Sequence, residues 1–409
     1  MAKGQFLSAR EAAAELGITL PTLYAYVSRG LIHSHTLDIK QRTRHYARED
    51  VEQLKARQEA RRSPTKLVET ALQWGTPVMD SAITLIEDGR LYYRGCDAVE
   101  LAQQHSVEYV ASLLWTGDGD TAQALFRLPV PPLTPQVQAV QAQLRGMLPV
   151  ERLMALLPVM GSQDLLAYDL RPQAVVQTGA RLLPQLAMIV SDGPFVDDVA
   201  TTLQHRWCGD DPYARELLKM ALIVCTDHEL NVSAFTARCV ASAGATPYGA
   251  VIGGLAALQG IKHGGYTERV AAFLRELHTV SEVRPAVVER IKRGEEIPGF
   301  GQRLYPAGDP RARLLFQWLH EHYAAAPALQ IATAVIAEAE ALQHEPPTID
   351  FALATLAAVL RLPVGAGIAL FAVGRSIGWI GHAIEQYQTQ QLIRPRARYV
   401  GEAPRQQLE

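Results

Sequence analysis

From about residue 67 to the end of this 409-residue chain, apolar side chains return at three- and four-residue steps, and that period sets the fold class. It runs through Val107 to Trp115, Val137 to Met147, Arg152 to Met160, Ala214 to Val224 and Ala250 to Leu258. Helices with such faces bury them against one another, which predicts an all-α body. One stretch breaks the period: Ala82 to Tyr93 alternates around Asp88-Gly89 as a small hairpin does. The Pro-rich segment Leu128 to Pro135 reads as a connector. With 48% hydrophobic residues the chain can bury a large core without disulfides. Cys96, Cys208, Cys225 and Cys239 fall at no metal-ligand spacing, so the expectation is reduced thiols, no structural zinc and a cytoplasmic protein. Apolar runs such as Ala366 to Val373 break at Gly or charge, and the chain opens on polar residues, so neither a membrane span nor a secretory signal is expected.

Charge divides the chain. Residues 1–66 hold about 12 Lys and Arg against about 7 Asp and Glu, a basic head before an acidic body. Ser8-Ala9-Arg10-Glu11 has the capping-box pattern, and the Ala-rich run behind it stops at Gly17. Thr19, Pro21 and the helical spacing of Leu23, Tyr24, Val27 and Leu31 start a second helix after a tight turn. Thr36 to Lys40 and Arg42 to Tyr46 then make a hairpin-like stretch before a helix near Ala47 to Val51. This order resembles the winged helix-turn-helix head of MerR-type regulators. The resemblance implies DNA binding, with the second helix in a major groove and Arg42 and Arg44 on phosphates. The competing reading is a docking or dimerising module. Lys55 to Lys66 reads as a helix end and linker.

Four segments of the body carry chemistry: Asp227-His228-Glu229-Leu230-Asn231 through Arg238 with Gly260 to Gly265; Pro298-Gly299-Phe300-Gly301-Gln302-Arg303-Leu304-Tyr305 with Gly308-Asp309-Pro310-Arg311; Pro347 to Phe351; and Leu370 to Arg375 with Arg394 to Gly401. In this order and spacing they resemble the citrate synthase family, together with the hairpin end Tyr92-Tyr93-Arg94-Gly95. The resemblance implies a large helical domain of residues 67–265 and 366–409, a smaller one of residues 266–365, and closure between them. It also implies condensation of an acyl-CoA with a dicarboxylic 2-keto acid, the chemistry that opens the tricarboxylic acid cycle, with acyl-CoA as co-substrate and no permanently bound cofactor or metal.

Abstracting a proton from a thioester methyl group requires a base at the carbon and a donor at the carbonyl oxygen together. The resemblance assigns the first to Asp350 and the second to His263. On local sequence alone, Asp350 equally suits the N-cap of the apolar run Phe351 to Leu360. By the same resemblance Arg311, Arg375 and Arg394 grip the keto acid's carboxylates, His228 assists, and Ile297, Pro298, Gly299, Phe300 and Gly301 wrap the adenine of CoA. Arg394 would come from the partner subunit of a homodimer. Arg375 stands out unaided, because it interrupts an apolar helical run where an unpaired cation is costly. Gln302 departs from the family, which has a histidine there to polarise the keto oxygen; an amide donates but carries no charge. Thr348 for Asn, the apolar Phe351 to Leu353 and Pro306 for Lys are lesser departures. Two alternatives follow: a metabolite-sensing regulator with weakened turnover, and a citryl-CoA-cleaving lyase.

Overall fold

The capping box at Ser8 closes as its sequence requires: Glu11 N–H donates to Ser8 Oγ at 3.3 Å, and Ser8 N–H to Glu11 Oε2 at 2.8 Å. The helix α1 (Ala9–Leu16) that it starts ends on Gly17 at φ 62°, and α2 (Leu20–Ser28) follows at once. This computed structural model describes residues 6–28, 34–36, 44–47, 51, 79–127, 129–302 and 304–402. Contacts divide the chain into two units, Met1–Asp80 and Ser81–Glu409. In the first, strands β1 (Phe6–Ser8), β2 (Ser34–Thr36) and β3 (Arg44–Ala47) form an antiparallel sheet in the order β1-β3-β2. The hairpin lies earlier than expected in its first strand, which shares only Thr36 with the stretch Thr36 to Lys40, and its second strand runs on to Ala47, where a helix was expected to begin; β1 adds a strand of three residues, too few for an alternation to register. Leu7, Ala12, Ala13, Leu16, Leu23, Tyr46 and Val51 make a small core of its own. Leu31, Arg42, the side chain of Arg44 and the linker expected at Lys55 to Lys66 lie outside the described residues.

The second unit is helical around one continuous apolar core. Its hairpin joins β4 (Thr84–Glu87) to β5 (Arg90–Tyr93) through Asp88 and Gly89, both at positive φ (50° and 73°) as a two-residue hairpin turn demands. The helices read from periodicity are present as α3 (Val107–Thr116), a helix over Pro149–Gln163, α5 (Ala214–Val224) and α7 (Pro247–Leu258), and two helices beyond that reading, α4 (Pro172–Ser191) and α6 (Val232–Ser242), join them. The helix expected over Val137 to Met147 spans only Pro135–Gln143. Three more helices bear on the site: α8 (Tyr266–Arg275), α9 (Pro310–Tyr323) and α10 (Ile349–Val359).

The last helix, α11 (Ala366–Thr389), runs through the centre and packs on α3, α4, α5, α6, α7 and α10. The apolar run from Ala366 therefore does not stop at Gly374 and Arg375: it continues as a helix long and apolar enough to cross a membrane. That apolar stretch is wholly buried within the protein, so it is a core helix. Its glycines permit a close approach. A Cβ on Gly374 would lie 2.4 Å from Leu222 O, and one on Gly378 would lie 2.4 Å from Thr226 O. The C-terminal end of α5 and the segment behind it thus lie against α11 backbone to backbone, with Gly378 N–H donating to Thr226 O at 3.2 Å. The hairpin grips the same segment, because the buried Tyr93 hydroxyl sits 3.2 Å from Val224 O and 3.1 Å from Asp227 O.

Candidate active site

Five pieces of chain converge where α5 ends: residues 225–231, the turn before α8, the loop before α9, the start of α10 and the middle of α11. Cys225 marks their meeting point. Its thiol is pushed up to about 12 by burial, while Arg311, Arg375, Asp350 and Asp309 all act on it electrostatically.

Arg375 projects from α11 into this centre and is 1% exposed. Its Nε donates to Cys225 O at 2.7 Å, its Cζ lies 4.8 Å from the centre of the Phe371 ring, and its buried Nη2 has no hydrogen-bond partner among the described residues. Burial pulls its pKa down. Arg311, in the first turn of α9, is also buried but paired: Nε and Nη2 grip Asp309 at 2.9 and 2.8 Å. Against the burial that lowers it, Asp309 holds the Arg311 pKa above its ordinary value. Asp309 also caps α9 and accepts Ile349 N–H at 3.0 Å, tying the start of α9 to the start of α10.

Asp350 is not the N-cap that local sequence equally allowed. Thr348 holds that position, Asp350 lies in the first turn of α10, and its Oδ1 accepts from Thr267 Oγ1 at 2.6 Å. Burial raises the carboxyl to about 6, against the Thr267 hydrogen bond and the Arg311 charge that lower it. His263 lies in the turn that leads into Thr267 on α8, and its Nε2 is 2.8 Å from Ser233 Oγ. Burial and then Arg375 lower its pKa to about 3. His228 is held well below its ordinary value by burial, Arg311, Arg375 and His263, and its Nε2 lies 2.9 Å from Tyr305 Oη. Near neutral pH the site therefore holds two uncharged imidazoles, two guanidinium groups and a carboxylate ready to take a proton.

His228, His263, Arg311, Asp350 and Arg375 are thus brought together. Gln302 is half-buried; its carbonyl accepts Tyr305 N–H at 3.0 Å, and its amide makes no hydrogen bond among the described residues. Arg394 is exposed in the irregular tail behind α11. Ile297 to Phe300 are buried and Gly301 is exposed; Gly299 O accepts Thr348 N–H at 2.9 Å, and Gly301 N–H donates to Pro346 O at 3.2 Å. Several supports carried no sequence signal or were passed over. Asp309-Pro310 is a helix-start signal whose second use, on Arg311, needs the fold. Thr84 Oγ1 donates to Asp227 Oδ2 at 2.6 Å, and Asp227 Oδ1 lies 3.2 Å from His382 Nε2, both residues fully buried. A cavity of about 460 Å³ bounded by Arg171, Ser242, Tyr387 and Gln391 shares none of these residues. No cluster of metal-ligating side chains occurs among the described residues.

A family model for the citrate synthase C-terminal domain matches residues 71–396. The chain belongs to the citrate synthase family. A helix-turn-helix domain model matches residues 6–59. Among the relatives of this citrate synthase family member is putative citrate synthase 2 of Mycobacterium tuberculosis strain H37Rv, 32% identical over 333 residues, or 78% of this chain and 89% of that protein. The 2-methylcitrate synthase of Shewanella oneidensis is 28% identical over 354 residues, 77% of this chain and 90% of its own. Citrate synthase from Thermotoga maritima superposes with a TM-score of 0.69 at 25% identity, covering 83% of this chain and 98% of that one. The Thermoplasma acidophilum citrate synthase in its ternary complex with carboxymethyl coenzyme A and oxaloacetate gives 0.71 at 23% identity, over 81% and 96%, and speaks for the fold.

The raised Asp350 carboxyl has a stability consequence. The native state holds this proton more tightly than the unfolded chain does, so the group favours folding below pH 3.8 and that contribution is lost as pH rises through about 6. Asp350→Asn should therefore melt at a higher temperature than the parent at pH 7.5, with the gap closing below pH 4; an equal or lower melting temperature at pH 7.5 would count against the assignment.

Proposed function

We propose that residues 81–402 condense an acyl-CoA with a dicarboxylic 2-keto acid such as oxaloacetate, giving citrate or an analogue and free CoA. The observation that carries this reading is Arg375, a buried cation with an unpartnered Nη2, set among two neutral histidines and a carboxylate whose pKa is near 6. A guanidinium there requires an anion, and the forked geometry suits a carboxylate. Arg375, Arg311 and His228 would hold the keto acid. Arg394 would complete the grip from a partner subunit, since it is exposed within its own chain. The Thermoplasma citrate synthase, which shares the fold, is named in complex with carboxymethyl coenzyme A and oxaloacetate, in keeping with this pair of ligands.

The steps follow from the charges. Asp350, ionised above about pH 6, takes a proton from the methyl carbon of the thioester, while His263, neutral, donates a hydrogen bond to the thioester oxygen where charge develops. The resulting enolate attacks the keto carbon, the alkoxide so formed takes up a proton that balances the one left on Asp350, and water hydrolyses the thioester to a carboxylate and free CoA. Residues 297–301 would seat the CoA adenine, and closure of residues 266–365 on the rest would keep water from the enol. Gln302 offers the keto oxygen a neutral donor in place of a charged one. A charged hydrogen bond is about twice as strong, so the exchange costs roughly one to three orders of magnitude in rate.

Purified full-length protein given acetyl-CoA or propionyl-CoA with oxaloacetate should release free thiol. Asp350→Ala should lower that rate by at least about 100-fold, and Gln302→His should raise it. No thiol release with either acyl-CoA would contradict the reading.

The helix-turn-helix match over residues 6–59 favours a second role, control of DNA by a ligand-bound body. It predicts sequence-selective binding of duplex DNA that weakens steeply with salt and changes when CoA or oxaloacetate is added, measured by gel shift. Binding that is absent or insensitive to salt would leave residues 1–66 as a docking element.

A further inference from the structure

We propose that Tyr305 is a positioning residue that fixes His228 in the tautomer with its proton on Nδ1, so that this neutral imidazole presents a permanent N–H donor to the keto acid. The inference rests on the condensing function proposed above and assigns a specific part of its acceptor site. The Tyr305 hydroxyl lies 2.9 Å from His228 Nε2, with ring centres 5.6 Å apart at 64°. Tyr305 is 1% exposed and His228 9%.

A phenol has one proton, and among the described residues His228 Nε2 is the only hydrogen-bond partner of this one. Burial pushes the Tyr305 hydroxyl up to about 12, so it keeps that proton at neutral pH. Burial, and after it the two arginines, keep His228 uncharged, leaving it a single N–H. If that N–H sat on Nε2, two donors would face each other and the buried phenol proton would lack an acceptor, a costly arrangement. The phenol therefore donates to Nε2 and the imidazole proton lies on Nδ1. Nδ1 makes no hydrogen bond among the described residues, which leaves its proton available to a ligand.

The loop places Tyr305 for this task. Its N–H donates to Gln302 O at 3.0 Å, its carbonyl accepts Gly308 N–H at 2.9 Å, and Arg311 Cζ lies 5.5 Å from its ring centre. The loop that carries the neutral Gln302 thus also carries the group that makes His228 a dependable donor. A carboxylate or keto oxygen meets His228 as a fixed neutral donor, with Gln302 and the guanidinium groups beside it.

The test is nitrogen-15 NMR of the full chain labelled in histidine, with the His228 signals identified by their loss in His228→Gln. The expected result is a protonated Nδ1 and a bare Nε2 in the wild type, moving toward a protonated Nε2 in Tyr305→Phe. Tyr305→Phe should also raise KM for oxaloacetate roughly tenfold while leaving KM for acyl-CoA unchanged. A protonated Nε2 in the wild type overturns the proposal whether or not the variant folds, as does an unchanged tautomer in Tyr305→Phe. The tautomer is read without substrate, so absence of CoA release beside the expected tautomer would overturn the condensing reading and leave the Tyr305 placement standing.

Discussion

A positive charge held deep in an apolar helix bundle organises this molecule. An unpaired buried cation costs several kcal/mol, and Arg375 meets that cost only in part, through one backbone carbonyl and the face of Phe371. The surroundings are built to tolerate it. Glycines at 374 and 378 bring the chain around Leu222 to Asp227 hard against α11, which places the Cys225 carbonyl where Nε can reach it. Behind that segment Asp227 adds a fully buried negative charge; against the burial that would raise it, His382, then Arg375 and Thr84, hold it below the ordinary carboxylate range. The remaining deficit is what the proposed carboxylate ligand would offset.

The same burial that makes Arg375 costly sets the chemistry beside it. Burial, with Arg375 acting on both histidines and Arg311 on His228, keeps the two imidazoles uncharged, as the proposed donor roles require. It also lifts Asp350 to about 6, near enough to neutrality for a carboxylate to take a proton and return it. Asp309 keeps Arg311 from sharing the fate of Arg375, so one arginine is structurally satisfied and the other is left wanting.

Much of this was legible in the sequence, because it rests on local rules. Helical period, the Ser8 capping box and the Asp88-Gly89 turn each act over a few residues and each produced the element expected. Arg375 was legible for the same reason, as a charge in an apolar run. The supports were not. Tyr305 meets His228 across 77 residues, Thr267 meets Asp350 across 83, and Thr84 meets Asp227 across 143; no periodicity encodes such pairs. The reach of α11 past Arg375 was also hidden, since a glycine and an arginine end an apolar run on paper but not a helix whose neighbours are shaped to take them.

The central claim is that Arg375 holds a carboxylate of a bound ligand, and calorimetry on Arg375→Leu beside the wild type tests it directly. The account predicts that oxaloacetate binds the wild type and loses at least about tenfold in affinity for the variant. Undiminished binding of oxaloacetate by folded Arg375→Leu would contradict it.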